Sequence, residues 1–305
     1  MIKNLVILEP FGELGNRLYR LGNVLAFAKE FGLSVFDLSF CEGGYSHLFA
    51  ETYHRALLKF PKAPQLPFSA YPIQKKTYLF SQKLLSAGLW KPLIIENEDY
   101  EYNLSIAELN KYNRSTICLK GFFFQADEYV IKHGDYLRTF FRPLPSTRAF
   151  VDESFNKCKT NADIVVGVHI RHGDFEDWCD GRFYFSTHDY SNIMEQTVNI
   201  FRDKKIHFIL FSNAEGLDLS CFADFKFDFQ KRTMDQDLFL MAKCDYIVAP
   251  DTSTFSGLAS FLGQVPIYRI NDKNKIINES DFVVLNVLNN FAVDTDVGTP
   301  STNEH

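Results

Sequence analysis

The 305-residue chain contains no run of 18 apolar residues, and its opening "MIKNLVILEP" turns polar within a few positions. A bilayer-spanning helix needs about 20 mostly apolar residues, and a secretory leader needs a cleaner apolar stretch than this opening offers. Nor is there a basic stretch of the kind that forms a nucleic-acid arm. The net charge is −6 with the signs interspersed, so nucleic acid is not an expected partner and any positive potential has to come from a few arginines in a cleft. Cysteine is sparse: six, at 41, 118, 158, 179, 221 and 244, with no CxxC pair and no metal-ligand spacing. Cys118 and Cys244 stand in or beside apolar runs, as small buried residues do. These absences lead to the expectation of a soluble, reduced, cytoplasmic protein with no transmembrane segment.

Apolar residues are plentiful, at 46% of the chain, which supports a full core and excludes wholesale disorder. The 31 Phe fit that core without by themselves implying a ligand. No internal repeat occurs. "NLVILEP" (4–10) reads as a buried strand. In the segment after it Leu14, Leu18, Leu21, Val24, Leu25, Ala28 and Phe31 recur at helical spacing up to Gly32, and "SVFDLSF" returns as a strand. Strand, glycine turn, helix, strand is the opening of a parallel α/β sheet. Further on, 60–72 reads as loop, "KKTYLFSQKLLSAGL" as helix, "STICLKGFFFQ" (115–125) as strand and "ADEYVIKHGDYLRTFF" as one helix.

"RPLPSTRAF" (142–150) reads as a linker or domain crossing. A second alternation follows: strand at 163–170, helix near 189–203, strand "KIHFILFSN", helix "DQDLFLMAKC", strand "DYIVAPD", helix "STFSGLASFLG", strand "VPIYRI". The expectation is therefore α/β with two doubly wound domains, at 1–145 and 146–290, and a polar tail at 291–305 that reads as disordered.

Parallel sheets place ligands where strands end and helices begin. Four such places carry chemistry. In "EPFGELGNRLYRLGN" the glycines Gly12 and Gly15 allow close backbone approach and Asn16 and Arg17 open the next helix. The plain alternative is a glycine turn required by geometry, with Arg17 solvated. In "VGVHIRHGDF" Arg171 follows the strand end, where a guanidinium can grip a phosphate with two parallel hydrogen bonds. His169 reads equally as a core histidine, Asp174 as a partner for Arg171, and a metal held by His169, His172 and Asp174 stays open, though no established ligand pattern supports it. In "FILFSNAEG" Ser212 and Asn213 are also ordinary turn residues. In "APDTSTFSGLASFLG" the hydroxyls of Thr252, Ser253, Thr254 and Ser256 exceed what capping one helix needs, and a phosphate on the helix N-terminus would use the surplus. "DQD" (235–237) matches a metal-holding DxD pattern, but acidic residues opening a helix also meet its dipole favourably.

Taken in order, "GELGNRLYRLGNVLAFA", "LKGFFFQADEY", "VHIRHGDF", "FILFSN" and "DLFLMAKCDYIVAPDTSTFSGLASFLG" resemble the fucosyltransferases that share an HxRRxD-type motif, above all the bacterial α1,2-fucosyltransferases. The resemblance implies a GT-B architecture of two facing Rossmann-like domains, with the acceptor mainly N-terminal and the donor mainly C-terminal. It implies inverting transfer of L-fucose from GDP-β-L-fucose to a glycan hydroxyl, with no divalent metal and no other cofactor. By the same resemblance Arg171 binds the diphosphate and stabilises departing GDP. His169, Gly15, Asn16, Asn213, Asp237, Ser253, Thr254, Phe255 and Ser256 complete the donor site, with Asn16 facing the donor. Asp174, Glu176, Asp177 and Glu13 are the candidate general bases, Asp174 foremost.

Three departures bear on specificity. His172 replaces the motif's second arginine, Asn213 stands where an aspartate is usual, and "SGLA" (256–259) replaces paired tryptophans. They leave a different nucleotide sugar, or a binding protein without turnover, as alternatives. Tyr45, His47 and Tyr53 are candidate acceptor contacts.

Overall fold

The computed structural model describes residues 1–37, 71–89, 91–97, 102–121, 124–173, 178–214 and 216–288. Asp174, Glu176, Asp177, Tyr45, His47, Tyr53 and the tail expected at 291–305 lie outside them. So does the loop expected over 60–72 except for its last two residues, which already open a helix. The chain divides into two compact units, each built on a parallel sheet, the α/β arrangement of the GT-B class.

The first unit comprises Met1–Arg148 and Asn286–Leu288. Its elements are β1 (Asn4–Ile7), α1 (Leu14–Phe31), β2 (Ser34–Asp37), α2 (Tyr71–Ser86), β3 (Ile94–Asn97), β4 (Tyr102–Asn103), α3 (Ile106–Lys111), β5 (Thr116–Gly121), β6 (Phe124–Gln125), α4 (Asp127–Lys132) and α5 (Gly134–Phe140). The main sheet runs β2-β1-β5-β3, all parallel. α1 forms because its apolar side chains recur every three to four residues, and it buries Leu14, Leu18, Leu21, Val24, Leu25 and Ala28 before stopping at Gly32. The single helix expected over 126–141 is two, interrupted at His133, which separates α4 from α5.

The second unit holds Ala149–Leu285 of the described residues. Helix α6 (Pro145–Lys159) begins inside the stretch read as a linker, with Pro145 at its first position, where the missing N–H costs no helical bond. Next come β7 (Ile164–Ile170), α7 (Thr187–Ile200), β8 (Ile206–Ser212), β9 (Phe227–Phe229), α8 (Met234–Met241), β10 (Tyr246–Pro250), α9 (Thr254–Gly263) and β11 (Ile267–Ile270). The sheet order is β11-β10-β7-β8-β9, all parallel. All seven residues of the central strand β7 are buried, as a parallel strand covered on both faces requires. On one face Val166, Val168, Ile170, Phe208 and Leu210 pack with Tyr190, Ile193 and Met194 of α7.

Asn286–Leu288, which the sequence reading puts in the stretch 146–290, group with the first unit. The physical reason is specific. The Asn23 Nδ2 group of α1 donates to the Leu288 carbonyl at 2.8 Å, and the Leu288 side chain lies over Gly22, where a Cβ would come within 2.3 Å of it.

Candidate nucleotide site

Chain order along the second sheet reverses direction at β7: β8 and β9 lie to one side, β10 and β11 to the other. The crevice at such a switch point, beyond the strands' C-terminal ends, is where open α/β sheets bind ligands. His169, Ser253 and Phe255 come together there, from the end of β7 and the start of α9, and Arg171 and Thr254 stand beside them in sequence at the ends of the same two elements.

His169 is buried, with Nδ1 3.2 Å from Ser253 Oγ and its ring 5.7 Å from that of Phe255. Ser253 is also the N-cap of α9, accepting from the Ser256 amide at 3.4 Å. Its O–H is thus available to donate to Nδ1, which leaves the ring proton on Nε2. Burial first, and the positive Arg171 second, push the His169 pKa down to about 3. The imidazole is neutral at physiological pH and links the two strand ends without competing with Arg171 for an anion. Ser256 is fully buried and its hydroxyl donates to the Ser253 carbonyl at 3.3 Å. The Ser256 hydroxyl is thus engaged within the helix.

Arg171 is held by its backbone, whose N–H donates to the hydroxyl of fully buried Tyr190 at 3.4 Å. The next residue, His172, is fixed from three directions. Its Nε2 donates to the Phe185 carbonyl at 2.9 Å, its ring lies 4.7 Å from Tyr184, and its amide donates to Asn213 Oδ1 at 3.3 Å. Asn213 Nδ2 lies 3.5 Å from the His172 carbonyl. Asn213 therefore clamps the loop after β7 to the end of β8. Gly173, at φ +65°, completes the turn, and a Cβ there would sit 3.3 Å from Asn213 Nδ2, so both the conformation and the space favour glycine.

Asp237 is engaged by Arg232 at 3.1 Å, and the Arg232 side chain is almost wholly buried over the Phe211 ring, with Nη1 also donating to the Leu210 carbonyl. Burial, opposed by Arg232, raises the Asp237 carboxyl to about 6. The "DQD" run opens α8 behind a Thr233–Gln236 capping box, and among the described residues neither aspartate belongs to a group of three metal-donor side chains. Arg232 carried no sequence signal, lying in a polar stretch after β9. Asp251 is engaged by Arg269 at 2.7 Å, which fixes the hydroxyl-rich turn before α9.

The first unit has its own switch point, between β1 and β5. Gly15 and Asn16 lie in the first turn of α1. Gly12 has φ +58°, and a Cβ there would fall 2.1 Å from Asn16 Nδ2, so conformation and space both favour glycine. Arg17 is buried rather than solvated, its Nε donating to the Gly12 carbonyl at 3.0 Å. Buried Arg20 donates at 2.7 Å to both the Glu9 and the Gly121 carbonyls, joining the ends of β1 and β5.

Two parallel α/β units, the second with an arginine and a helix N-terminus at its switch point, fit the GT-B class of glycosyltransferase. The chain belongs to glycosyl transferase family 11, whose sequence profile matches residues 53–283. In fold it is similar to FUT1 of Arabidopsis thaliana, solved as a mutant in complex with GDP, at 13% identity and a TM-score of 0.52 over 90% of this chain and 72% of that one. It is likewise similar to POFUT1 in complex with GDP-fucose, at 13% identity and a TM-score of 0.50 over 86% of this chain and 94% of that one. No curated protein sequence matches the chain. Among the described residues no helix is long and apolar enough to cross a membrane.

Proposed function

We propose that the chain transfers L-fucose from GDP-β-L-fucose to a hydroxyl of a glycan, with inversion, in α1,2 linkage and without a divalent metal. The observation that carries the reading is Arg171 at the end of β7, joined through His169 and Ser253 to the N-terminus of α9. An anion lying there meets a two-pronged permanent cation and the positive end of a helix together. The choice of GDP-fucose rests on the ordered motif resemblance and is supported by the GDP and GDP-fucose held by the two proteins of similar fold.

In the transfer, an acceptor oxygen attacks the anomeric carbon as the bond from that carbon to the β-phosphate oxygen breaks. The electron pair departs with GDP. Arg171, with the first-turn amides of Thr254 and Phe255, meets the charge that grows on the diphosphate, which lowers the barrier because that charge is largest in the transition state. Neutral His169 and Ser253 hold the two elements together, Asn213 holds the loop, and Asp237 acts through Arg232 on the end of β8. Gly15 and Asn16 are assigned a ligand-facing role in the first unit, and Asp174 is assigned the acceptor proton.

Calorimetry with GDP-fucose, GDP-mannose and UDP-galactose, each with and without EDTA, tests the donor. GDP-fucose alone should bind, equally in both buffers; preference for another nucleotide sugar, or loss of binding with EDTA, overturns the reading. Arg171→Ala should remove GDP release at unchanged circular dichroism, and Arg171→Lys should recover little of it because the fork is lost.

A further inference from the structure

The other face of the second sheet carries a cluster that no part of the donor site uses. Cys158 comes from the last turn of α6, His207 from the start of β8 and Asp228 from the middle of β9. Their placement follows from register. Asp228 aligns with Ile209, two residues beyond His207, so parallel-strand alternation puts both side chains on one face. Across that face runs α6, and it brings the Cys158 thiol to 3.3 Å from Asp228 Oδ2. Sequence spacing hid the cluster, because its members are 49 and 21 positions apart (207 − 158 and 228 − 207).

One sulfur, one nitrogen and one carboxylate oxygen lie within 4.8 Å of one another. His207 is 7% exposed, yet neither of its ring nitrogens has a hydrogen-bond partner. A buried imidazole left in that state loses the hydration of both nitrogens for nothing in return unless a third party uses its lone pair. Ligand bonds of about 2.0–2.3 Å in a tetrahedral site put donor atoms roughly 3.5 Å apart, a spacing the thiol and carboxylate already have. We propose that Cys158, His207 and Asp228 bind one zinc-class divalent ion, which clamps the end of α6 to the β8–β9 edge.

The donor chemistry selects the ion. Thiolate with imidazole suits zinc and its neighbours in the first transition row, while magnesium and calcium take oxygen sets. Burial depresses the His207 pKa, keeping the imidazole in its neutral, ligating form. The Cys158 thiol gives up its proton when the ion binds, as any thiol ligand does. Asp228 reaches solvent at the sheet edge with 37% of its side chain exposed, which gives the ion a way in and leaves a water the fourth position. Lys157 Nζ stands 3.7 Å from Asp228 but is 76% exposed and is free to swing outward. Five residues of β8 at about 3.3 Å each separate His207 from Ser212, so the clamp lies roughly 17 Å from the strand end beside the donor site and takes no part in transfer.

Cobalt(II) titration of the chelator-stripped full chain reads the site directly. The expected result is one equivalent bound with a near-ultraviolet thiolate-to-cobalt band, displaced by zinc, absent in Cys158→Ser and retained in Cys221→Ser. Zinc should raise the thermal midpoint of the wild type by several degrees and that of His207→Gln by none. His207→Gln also carries the test if Cys158→Ser fails to fold. No band, or a band that survives Cys158→Ser, overturns the proposal. GDP-fucose turnover of the stripped protein separates the two readings: its persistence leaves the clamp structural, and its dependence on zinc refutes the clamp's independence from the donor site.

Discussion

Burial and the neighbouring Arg171 hold His169 near pKa 3, which ties the stability of the second unit to pH. In the unfolded chain a histidine takes its proton near 6.5; in the folded one it does not until about 3. Between those values the unfolded state binds more protons, so the contribution is whole above 6.5 and is lost as pH falls toward 3. The loss is about 2 kcal/mol by pH 5. Asp237, raised to about 6, gives the opposite slope between the ordinary carboxylate range and 6, and does so in wild type and variant alike. Urea midpoints at pH 7 and pH 5 should therefore separate more in the wild type than in His169→Gln. Equal separations would place the acid sensitivity elsewhere. Gly173→Ala belongs to the same scale. Left-handed backbone costs a side chain roughly 1–2 kcal/mol, and the new methyl meets Asn213, so GDP-fucose affinity should fall at least tenfold through displacement of Arg171 while the circular dichroism stays that of the wild type. Unchanged affinity would show that the loop does not position the arginine.

Among the elements, the strands that end at ligand-bearing turns were legible because each is a short apolar run followed at once by polar residues: β1, β7, β8 and β10 stand where those runs stand. Two others gave no such signal. β9 is three residues, "FDF", and exists because it pairs with β8, a cause that lies outside its own sequence. α6 was hidden by Pro143 and Pro145, which read as linker although a proline is at home in a helix's first turn. The same limit applies to the site. Arg171 follows a buried strand and could be picked out, whereas Arg20, Arg232 and Tyr190 look like ordinary helix or loop residues, and only tertiary packing turns them inward to hold strand ends. Ser253 sits between these cases, since its hydroxyl both caps α9 and meets His169. Ser253→Ala should cost about 1 kcal/mol as a lost cap and weaken GDP-fucose binding as well. Ser256→Ala, whose hydroxyl is spent inside the helix, should leave binding unchanged. Equal effects of the two substitutions on binding would put the capping residue outside the donor site.

On the scale of the whole molecule, the chain enters the second unit through α6 and gives Asn286–Leu288 back to the first. That return is built into α1 by two groups. Asn23 sits in the helix interior, where its side chain would otherwise compete with the backbone, and it is buried with Nδ2 on the Leu288 carbonyl and Oδ1 accepting from the Ala126 amide at 2.9 Å. Gly22 leaves the space that the Leu288 side chain fills, beside the Phe141 ring. Leu288 is 2% exposed, so cutting it back to alanine removes buried methyl groups and leaves a cavity, at about 2–5 kcal/mol. The loss falls on the first unit although the residue follows the last strand of the second. Hydrogen exchange should therefore show α1 and α5 of Leu288→Ala opening more readily while β7 and β8 keep wild-type protection. Faster exchange in β7 and β8 to the same degree would mean that the two units unfold as one, and that the returning segment stabilises the whole chain rather than the unit it belongs to.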